Sequence, residues 1–323
     1  MVMNQSHISL DMPWALILGA SSGMGLASAR KLAAEGYHII AVHRDRKGAM
    51  PRIEKEFEHI AQYGRNLLTI NENALTPEGR QSILAQISDS LGGGQIKVLL
   101  HSIALGNLKL AAPLPPPAFR KSQPGQRLEL LAKELQVPQE KLASSIKQLV
   151  QAGHHELADL ISEPSQFRED DLLNEEDFTQ TIQNMGTNLL FWVQDLFRRN
   201  MFAQDARVIG LTSEGNQKAW LGYAAVSAAK CALESVSRTI AKEFAPHGIR
   251  CNILQAGITE TPALRLIPGS ERMLAHARKR NPMGRLTTTY DVANAISLLC
   301  RPEAAWINGA LIHVDGGEHL SDG

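Results

Sequence analysis

Short apolar runs and helix-spaced apolar residues alternate along the first third of the chain. These runs have the length and composition of strands buried in a parallel sheet. They cover residues 14–18, 37–42, 66–74 and 96–105. Between the first two runs, Leu26, Ala29, Leu32 and Ala33 share one helical face, and Gly36 ends the helix. The alternation predicts an α/β fold with a Rossmann-like, doubly wound parallel sheet.

The same alternation returns in the C-terminal half of the chain. Long helical patterns cover residues 178–197 and 223–244. Strand patterns cover residues 206–213, 249–262 and 307–320, and the last two run into loops. Because this order continues the sheet of the first third, we expect residues 1–323 to form a single domain.

The segment 106–178 departs from this alternation. Its stretch 111–127 is rich in proline and predicts extended chain or loop. Helical patterns follow at residues 128–135, 137–153 and 154–162. We expect 106–178 to be a helical insertion at the carboxyl end of the fourth strand. There it forms either a lid or docking surface over a ligand site, or a peripheral or oligomer-contacting decoration.

Composition and charge narrow the possible functions. Apolar residues make up 44% of the 323 residues, and 33 Lys and Arg balance 33 Asp and Glu, which gives no overall attraction to nucleic acid or membrane. The 3 cysteines form no CxxC pair, and the first residues lack a signal-peptide pattern. We therefore expect a cytoplasmic protein without disulfides or a membrane span. His154 and His155 do not share a helical face, so no metal site is expected.

A glycine-rich turn separates the first strand from the first helix. Gly19 permits a tight bend, Gly23 lets the backbone approach a phosphate, and Gly25 allows close packing of helix on sheet. The free N–H groups and positive dipole at the helix start attract a pyrophosphate. The spacing G-x-x-x-G-x-G resembles the short-chain dehydrogenase/reductase superfamily, although Leu18 replaces its usual threonine. The resemblance implies further cofactor contacts within the turn, at Ser21, Ser22 and Met24.

The end of the second predicted strand bears on the choice of cofactor. An acidic residue at position 43 would accept hydrogen bonds from the ribose of NAD, but this chain has His43 there. Arg44 follows with a planar, permanently charged guanidinium suited to a 2′-phosphate. We therefore expect NADPH rather than NADH, with His43 and Arg44 beside the adenosine ribose. The alternative is a solvated loop in which Asp45 neutralises Arg44.

The resemblance to the superfamily implies more cofactor contacts along the chain. They fall at Asn73, Ala74, Ser102, Ile103, Ala104, Ile258 and Thr259. The sequence HSIA at 101–104 replaces the Asn-Asn-Ala-Gly common in the superfamily and is similar to the version found in enoyl-acyl-carrier-protein reductases. His101 is either part of that motif or a hydrogen-bonded strand-end residue. Met185 stands where many relatives carry an asparagine.

A tyrosine and a lysine on the helix predicted at 223–244 carry the candidate chemistry. The seven-residue spacing of Tyr223 and Lys230 leaves them about 20° apart around a helix and about 10.5 Å along it, so both face one side. The spacing Y-x6-K resembles the enoyl-acyl-carrier-protein reductase branch. The resemblance implies that Tyr223 is the catalytic hydroxyl and that Lys230 holds the nicotinamide ribose and makes Tyr223 more acidic. Ser213 replaces a second tyrosine common in that branch, and ketone-reducing members also use a serine there.

The resemblance implies an activity and partners as well. The activity is reduction of the C2=C3 double bond of an enoyl thioester, in fatty-acid or related acyl-chain synthesis. The acyl group is carried by coenzyme A or an acidic carrier protein. A basic cluster fits such a carrier, or is a solvated helix: Arg265, Arg272, Arg278, Lys279 and Arg280. A homo-oligomer, usually a tetramer, is also implied. Two alternatives stay open: an NADP-dependent carbonyl reductase or hydroxy-dehydrogenase, and a non-catalytic cofactor-sensing scaffold.

Overall fold

A parallel sheet runs through the centre of the protein. The computed structural model describes residues 13–116, 124–154, 157–161, 167–168 and 170–321. The strands of its 7-stranded sheet are paired in the order β3-β2-β1-β4-β5-β6-β7, all parallel. They are β1 Trp14–Leu18, β2 His38–His43, β3 Leu67–Asn71, β4 Ile96–His101, β5 Phe202–Thr212, β6 Ile249–Ala256 and β7 Leu311–Val314. The predicted doubly wound α/β fold is confirmed.

The described part of the chain forms twelve α-helices. They are α1 Gly23–Ala34, α2 Met50–Ala61, α3 Pro77–Ser90, α4 Pro124–Glu134, α5 Gln139–Gln151, α6 Ala158–Ile161, α7 Glu175–Ile182, α8 Asn188–Arg198, α9 Ala224–Glu243, α10 Pro262–Arg265, α11 Ser270–Arg280 and α12 Thr289–Leu299. Of these, α3, α8 and α9 cover one face of the sheet, and α1, α2 and α12 cover the other. Alternate residues of β1 point to opposite faces. Leu16 lies in the core formed with α3, α8 and α9, and Ile17 lies in the core formed with α1, α2 and α12.

The strand order reverses between β1 and β4, which are neighbours in the sheet. Leu18 at the end of β1 pairs with His101 at the end of β4. In open α/β sheets, ligands bind in the crevice outside the carboxyl ends of the strands at this reversal. Both motifs that the sequence singled out there, the glycine turn and HSIA, lie at this crevice.

Two predicted elements differ from the observed ones. The helix expected over 178–197 consists of α7 and α8 joined by a π-helical segment, Gln183–Thr187. A hypothetical Cβ on Gly186 would lie 2.7 Å from the carbonyl oxygen of Ala229, so close packing against α9 accompanies this π turn. The strand expected to begin at residue 206 begins at Phe202 instead. Its pairing with β4 shifts register between Ile96 and Val98, and Asp205 has a left-handed backbone (φ 65°), so the strand continues across an irregular stretch.

The segment between β4 and α7 is helical, as predicted, with shifted boundaries. Helix α4 begins at Pro124, inside the stretch expected to be extended, and residues 117–123 of that stretch lie outside the described residues. Helix α5 matches the second predicted helix, and α6 lies within the third, of which residues 155–156 and 162 are not described. That this segment is an insertion stays a prediction. None of the helices in the described ranges combines the length and apolarity needed to cross a membrane.

Candidate active site

One continuous cleft lies at the carboxyl ends of the strands and has two lobes. The β2 lobe lies beside the ends of β1, β2 and β3, and the β5 lobe lies beside the ends of β5 and β6. Six residues line both lobes: Met24, Ser102, Ile103, Ala104, Thr261 and Ala263. Every predicted catalytic and cofactor-binding residue except Gly25 lines one or both lobes.

The glycine turn forms the floor of the β2 lobe and fits a dinucleotide. Gly19 has φ +90°, and a Cβ there would lie 2.5 Å from the carbonyl oxygen of Ser102. A Cβ on Gly25 would lie 2.1 Å from the carbonyl oxygen of Gly19, so Gly25 packs behind the cleft. The Ser22 side chain makes no capping hydrogen bond to α1, and Gly23 and Met24, the first residues of this helix, line the lobe. Such a turn is a cradle for a pyrophosphate.

The end of β2 supplies an unpaired cation. The buried imidazole of His43 lies 3.0 Å from Asp45 through Nδ1 and Oδ2, and the Asp45 backbone is held by Asn71. Arg44 is exposed and lines the β2 lobe. Among the described residues it makes no ion pair, so the alternative in which Asp45 neutralises Arg44 is not observed. An unpaired guanidinium at this place suits a phosphate.

The loop after β3 is fixed against the helix behind it. The carbonyl oxygen of Ala74 accepts a hydrogen bond of 3.0 Å from the buried indole of Trp192. The side chain of Asn73 accepts one of 3.2 Å from the backbone of Leu75. At the junction of the lobes, the Ser102 N–H donates to the carbonyl oxygen of Leu18. Asn73 and Ala74, which are predicted to contact adenine, and Ser102 at the junction of the lobes therefore lie in segments that are held by hydrogen bonds.

Tyr223 and Ser213 meet in the β5 lobe. Tyr223 is the N-cap residue of α9, not a residue of its first turn, and it is 7% exposed. Its hydroxyl lies 3.3 Å from the hydroxyl of Ser213, which follows β5. Burial raises the pKa of Tyr223 above its ordinary value, and the hydrogen bond with Ser213 partly offsets this rise. Tyr223 is therefore a protonated hydrogen-bond donor at neutral pH.

Lys230 lies on α9 in the same lobe. Its ammonium group donates a hydrogen bond of 2.7 Å to the carbonyl oxygen of Leu211. Burial lowers the pKa of Lys230 to about 8, and the nearby Glu234 carboxylate opposes this shift. Burial is the largest cause of the raised pKa of Tyr223, and the expectation that Lys230 makes Tyr223 more acidic stays a prediction.

Three residues that the sequence reasoning missed contribute to the site. Glu234 accepts a hydrogen bond of 2.6 Å from Thr212, and so ties the loop that carries Ser213 to the lysine helix. Thr261 packs against the glycine turn, where a Cβ on Gly23 would lie 3.5 Å from its methyl group. Val226 is buried and lines the β5 lobe four residues before Lys230. The sequence offered no local signal for the first two.

The sequence left open the roles of His101 and of the basic cluster, and the structure describes the surroundings of both. His101 is 1% exposed, and burial lowers its pKa to about 3, so it is neutral. Its Nε2 has no hydrogen-bond partner among the described residues. In the basic cluster, Arg265 pairs with Glu260, and Arg280 pairs with two buried carboxylates, so the cluster is less positive than its composition suggests.

Two family models match the chain. The model described as "Enoyl-(Acyl carrier protein) reductase" matches residues 165–319. The model described as "short chain dehydrogenase" matches residues 13–122. Together the matches leave residues 123–164 uncovered, the segment that carries α4, α5 and α6.

Curated relatives divide between two activities. The 3-oxoacyl-[acyl-carrier-protein] reductase FabG of Vibrio cholerae is 22% identical over 313 residues, which are 97% of this chain and 100% of the relative. The NADH-dependent enoyl-[acyl-carrier-protein] reductase FabI of Aquifex aeolicus is 35% identical over 120 residues. That match spans 37% of this chain and 44% of the relative, so its sequence identity is higher than that of the Vibrio cholerae relative but it covers a shorter part of both chains.

Solved structures share the fold. The Aquifex aeolicus enoyl-[acyl-carrier-protein] reductase (NADH) superposes with a TM-score of 0.68 at 22% identity, over 96% of this chain and 98% of that one. A short-chain dehydrogenase from Burkholderia cenocepacia in complex with NADP superposes with a TM-score of 0.67 at 19% identity, over 95% of this chain and 98% of that one.

Proposed function

The chain belongs to the short-chain dehydrogenase/reductase superfamily and is an NAD(P)H-dependent reductase, and we propose that it reduces the C2=C3 double bond of an enoyl thioester with NADPH. One observation carries the proposal: the hydroxyl in the β5 lobe belongs to Tyr223, seven residues before Lys230, and the position four residues before Lys230 holds the apolar Val226. The acid that ketone reductases place four residues before the lysine is therefore missing.

The displaced hydroxyl suits the charge distribution of an enoyl thioester. In a ketone, negative charge develops on the oxygen of the carbon that takes the hydride. In an enoyl thioester, the hydride goes to Cβ and the charge develops on an oxygen two bonds further away. A tyrosine about one helical turn further from the lysine meets that more distant oxygen. A hydrogen-bond donor placed where charge develops stabilises the transition state most.

The residues of the β5 lobe then have separate tasks. When bound, NADPH supplies the hydride. Tyr223 donates its hydroxyl hydrogen bond to the enolate oxygen of the substrate, and Ser213 holds that hydroxyl in place. The ammonium group of Lys230 binds the ribose hydroxyls. The Cα of the substrate takes its proton from solvent or from Tyr223. Apolar side chains around the lobe, such as Met185 and Val226, exclude water from the developing charge.

Support for NADPH comes from the end of β2. A buried His43 stands where a carboxylate would bind the ribose of NAD, and its partner Asp45 faces the imidazole. The unpaired Arg44 lies at the edge of the β2 lobe, where a 2′-phosphate gives it a partner. The relative in Aquifex aeolicus is named as an NADH enzyme, so the support for NADPH comes from His43 and Arg44 of this chain and not from that relative.

A second candidate function has its own support. The Vibrio cholerae relative, matched over its whole length, is named as a 3-oxoacyl-[acyl-carrier-protein] reductase. Ser213 also lies where a serine could orient a ketone, within 3.3 Å of Tyr223. Both candidates act on acyl groups held by an acyl carrier protein, so we propose an acyl carrier protein or coenzyme A as the partner that presents the substrate.

Turnover of matched substrates tests the proposal. We would measure NADPH oxidation by the purified protein with a crotonyl thioester and, separately, with an acetoacetyl thioester. Faster turnover of the crotonyl thioester supports enoyl reduction. Turnover of the acetoacetyl thioester alone would establish the carbonyl reductase instead. NADPH binding without turnover of either substrate would favour a cofactor-sensing protein.

A further inference from the structure

A buried ion network joins three segments around the β5 lobe. Arg280, the last residue of α11, donates to Glu214 through both terminal nitrogens, at 2.8 Å through Nη1. Its Nη2 also donates to Oε1 of Glu318 at 2.6 Å. The side chains of Arg280, Glu214 and Glu318 are only 9%, 10% and 2% exposed. One guanidinium therefore binds two carboxylates almost out of contact with water.

Each carboxylate of the network supports a different wall of the lobe. Glu214 directly follows Ser213 and begins the short 3₁₀ helix Glu214–Asn216. Glu318 uses its second oxygen, Oε2, to accept a hydrogen bond of 3.1 Å from the backbone N–H of Ile258. Both carboxylates line the β5 lobe. Through Arg280, α11 is thus connected to the Ser213 loop and to the loop at 257–259 that follows β6.

The physical cost of this network argues for a specific role. Burying a charge is unfavourable unless it is paired and hydrogen-bonded. Burial raises the pKa of Glu318, although Arg280 opposes the rise. Burial also opposes ionisation of Glu214, but the ion pairs with Arg280 and Lys218 hold its pKa below its ordinary value. An apolar cluster would stabilise the fold at lower electrostatic cost, whereas charged groups fix direction and distance between the segments they join.

The Glu318 carboxylate is one of several supports of the loop at 257–259, beside a backbone hydrogen bond from Gly257 to Val314 and a β-bridge between Thr259 and Thr287. A Cβ on Gly257 would lie 2.8 Å from Glu318 Oε2 and 2.4 Å from the hydroxyl of Thr287, so the Glu318 carboxylate packs directly on the loop backbone. The hydroxyl of Thr259 donates back to the carbonyl oxygen of Gly257 at 2.9 Å. Loss of the Glu318 contact would leave the N–H of Ile258 without this partner, in the backbone that faces the nicotinamide end of the cleft.

We propose that Arg280 is a positioning residue for the nicotinamide half of the dinucleotide. It orients Glu318, and Glu318 fixes the backbone of the loop at 257–259. Arg280 also donates to Glu214, the residue after Ser213, and so fixes the distance between the Ser213 loop and α11. The adenosine half of the dinucleotide lies in the β2 lobe, which Arg280 does not line. This inference rests on the cofactor part of the proposed function and is independent of whether the substrate is an enoyl or a keto thioester.

Calorimetric titration with a whole and a truncated cofactor tests this role. The probes are NADPH and adenosine 2′,5′-bisphosphate, which lacks the nicotinamide half. We expect Arg280→Met and Glu318→Gln to weaken NADPH binding by about tenfold to a hundredfold, by analogy with the residues that orient the ligands of metal sites. Binding of adenosine 2′,5′-bisphosphate should be unchanged. Arg280→Lys, which keeps the charge but not the fork, should fall between Arg280→Met and the wild type.

Arg278 supplies the matched control. It lies on the same helix and, among the described residues, makes no ion pair, so Arg278→Met should bind both probes as the wild type does. Unchanged NADPH binding in Arg280→Met and Glu318→Gln would overturn the proposal. Equal weakening of both probes would overturn it too, because that result indicates a general structural role. If Arg280→Met does not fold, Glu318→Gln and Arg280→Lys decide the question. A wild-type protein that binds neither NADPH nor NADH refutes the cofactor assignment itself, a failure separate from that of Arg280.

Discussion

The two lobes of the cleft are built in different ways. The β2 lobe is built mainly where strands end, at the glycine turn and at the start of α1. The β5 lobe consists of side chains from distant segments, among them Ser213, Lys230 and Glu318. Backbone geometry is dictated by neighbouring residues in sequence, whereas the side-chain set depends on the assembled fold. The first lobe can hold many dinucleotide-dependent chemistries, and the second selects one of them.

The largest effect should come from removing the hydroxyl in the β5 lobe. Tyr223→Phe removes the donor to the enolate oxygen, and we expect turnover of the crotonyl thioester to fall about 10²- to 10³-fold. NADPH affinity should not change, because Tyr223 contributes to the chemical step. Steady-state kinetics and calorimetry measure the two quantities. Wild-type turnover in this variant would place the donor on another residue.

A methyl group in the glycine turn should damage the β2 lobe. In Gly25→Ala the new Cβ would lie 2.1 Å from the carbonyl oxygen of Gly19, so α1 must move away from the turn. We expect a loss of about 1–3 kcal/mol in the free energy of unfolding, and loss of NADPH binding. Gly48→Ala is the control, because a Cβ at Gly48 meets nothing within 4 Å. Urea denaturation and calorimetry report both effects, and equal behaviour of the two variants would refute this explanation of the turn.

Substitution of Arg44 should affect the binding of NADPH but not that of NADH. Arg44→Gln removes the unpaired guanidinium, and we expect NADPH binding to weaken about tenfold to a hundredfold, the size of a hydrogen bond to a charged group. NADH binding should change little. The neighbouring, exposed Arg46 gives the control variant Arg46→Gln. If Arg44→Gln weakens both dinucleotides equally, Arg44 does not read the 2′-phosphate.

The smallest effect concerns the charge of Lys230. Because burial lowers its pKa to about 8, Lys230 in the free protein loses its proton as the pH rises through about 8, and NADPH affinity should fall there. Glu234→Gln removes the carboxylate that opposes the shift, so the fall should move to lower pH. The surface variant Glu243→Gln, at the end of the same helix, should leave the profile unchanged. NADPH titrations at a series of pH values make the comparison.

The lowered pKa of Lys230 also determines whether the free energy of unfolding rises or falls with pH. Lys230 keeps its proton in the unfolded chain up to about pH 10.4, but in the folded protein only up to about pH 8. Between these values the unfolded state binds more protons, so the contribution of Lys230 to stability rises with pH across this window and is lost as the pH falls through about 8. Lys230→Met should abolish this rise in urea denaturation, and persistence of the rise would assign it to another group.

The sequence predicted the β2 lobe better than the β5 lobe, for a physical reason. Gly25 contacts its own turn, and Gly19 contacts Ser102 at the end of β4, the neighbour of β1 in the sheet, so the local strand-turn-helix pattern and the usual sheet order suffice to place them. Tyr223 and Lys230 were placed together because one helix carries the lysine and begins at the tyrosine. The start of β5 and the π turn were missed, because apolar periodicity does not reveal a register shift or an extra residue per turn.

The missed residues of the β5 lobe are those whose partners lie far along the chain. Arg280 is 66 residues from Glu214 and 38 from Glu318, and the sequence analysis placed Arg280 only in a basic cluster. Thr261 and Thr259 stand two positions apart in one loop, and only the fold shows that Thr261 packs on the glycine turn. Local patterns therefore predict which class of cofactor binds, and tertiary contacts decide how the β5 lobe is held.

The most direct test of the central claim follows the transferred hydrogen in a competition between substrates. The protein would be given equal amounts of a crotonyl and an acetoacetyl thioester, together with NADPH that carries deuterium at the transferred position. The products would be separated, and the label located by mass spectrometry and NMR. The account predicts that deuterium appears at C3 of the butyryl thioester. Label found in the 3-hydroxybutyryl thioester, with the crotonyl thioester left unreacted, would contradict it.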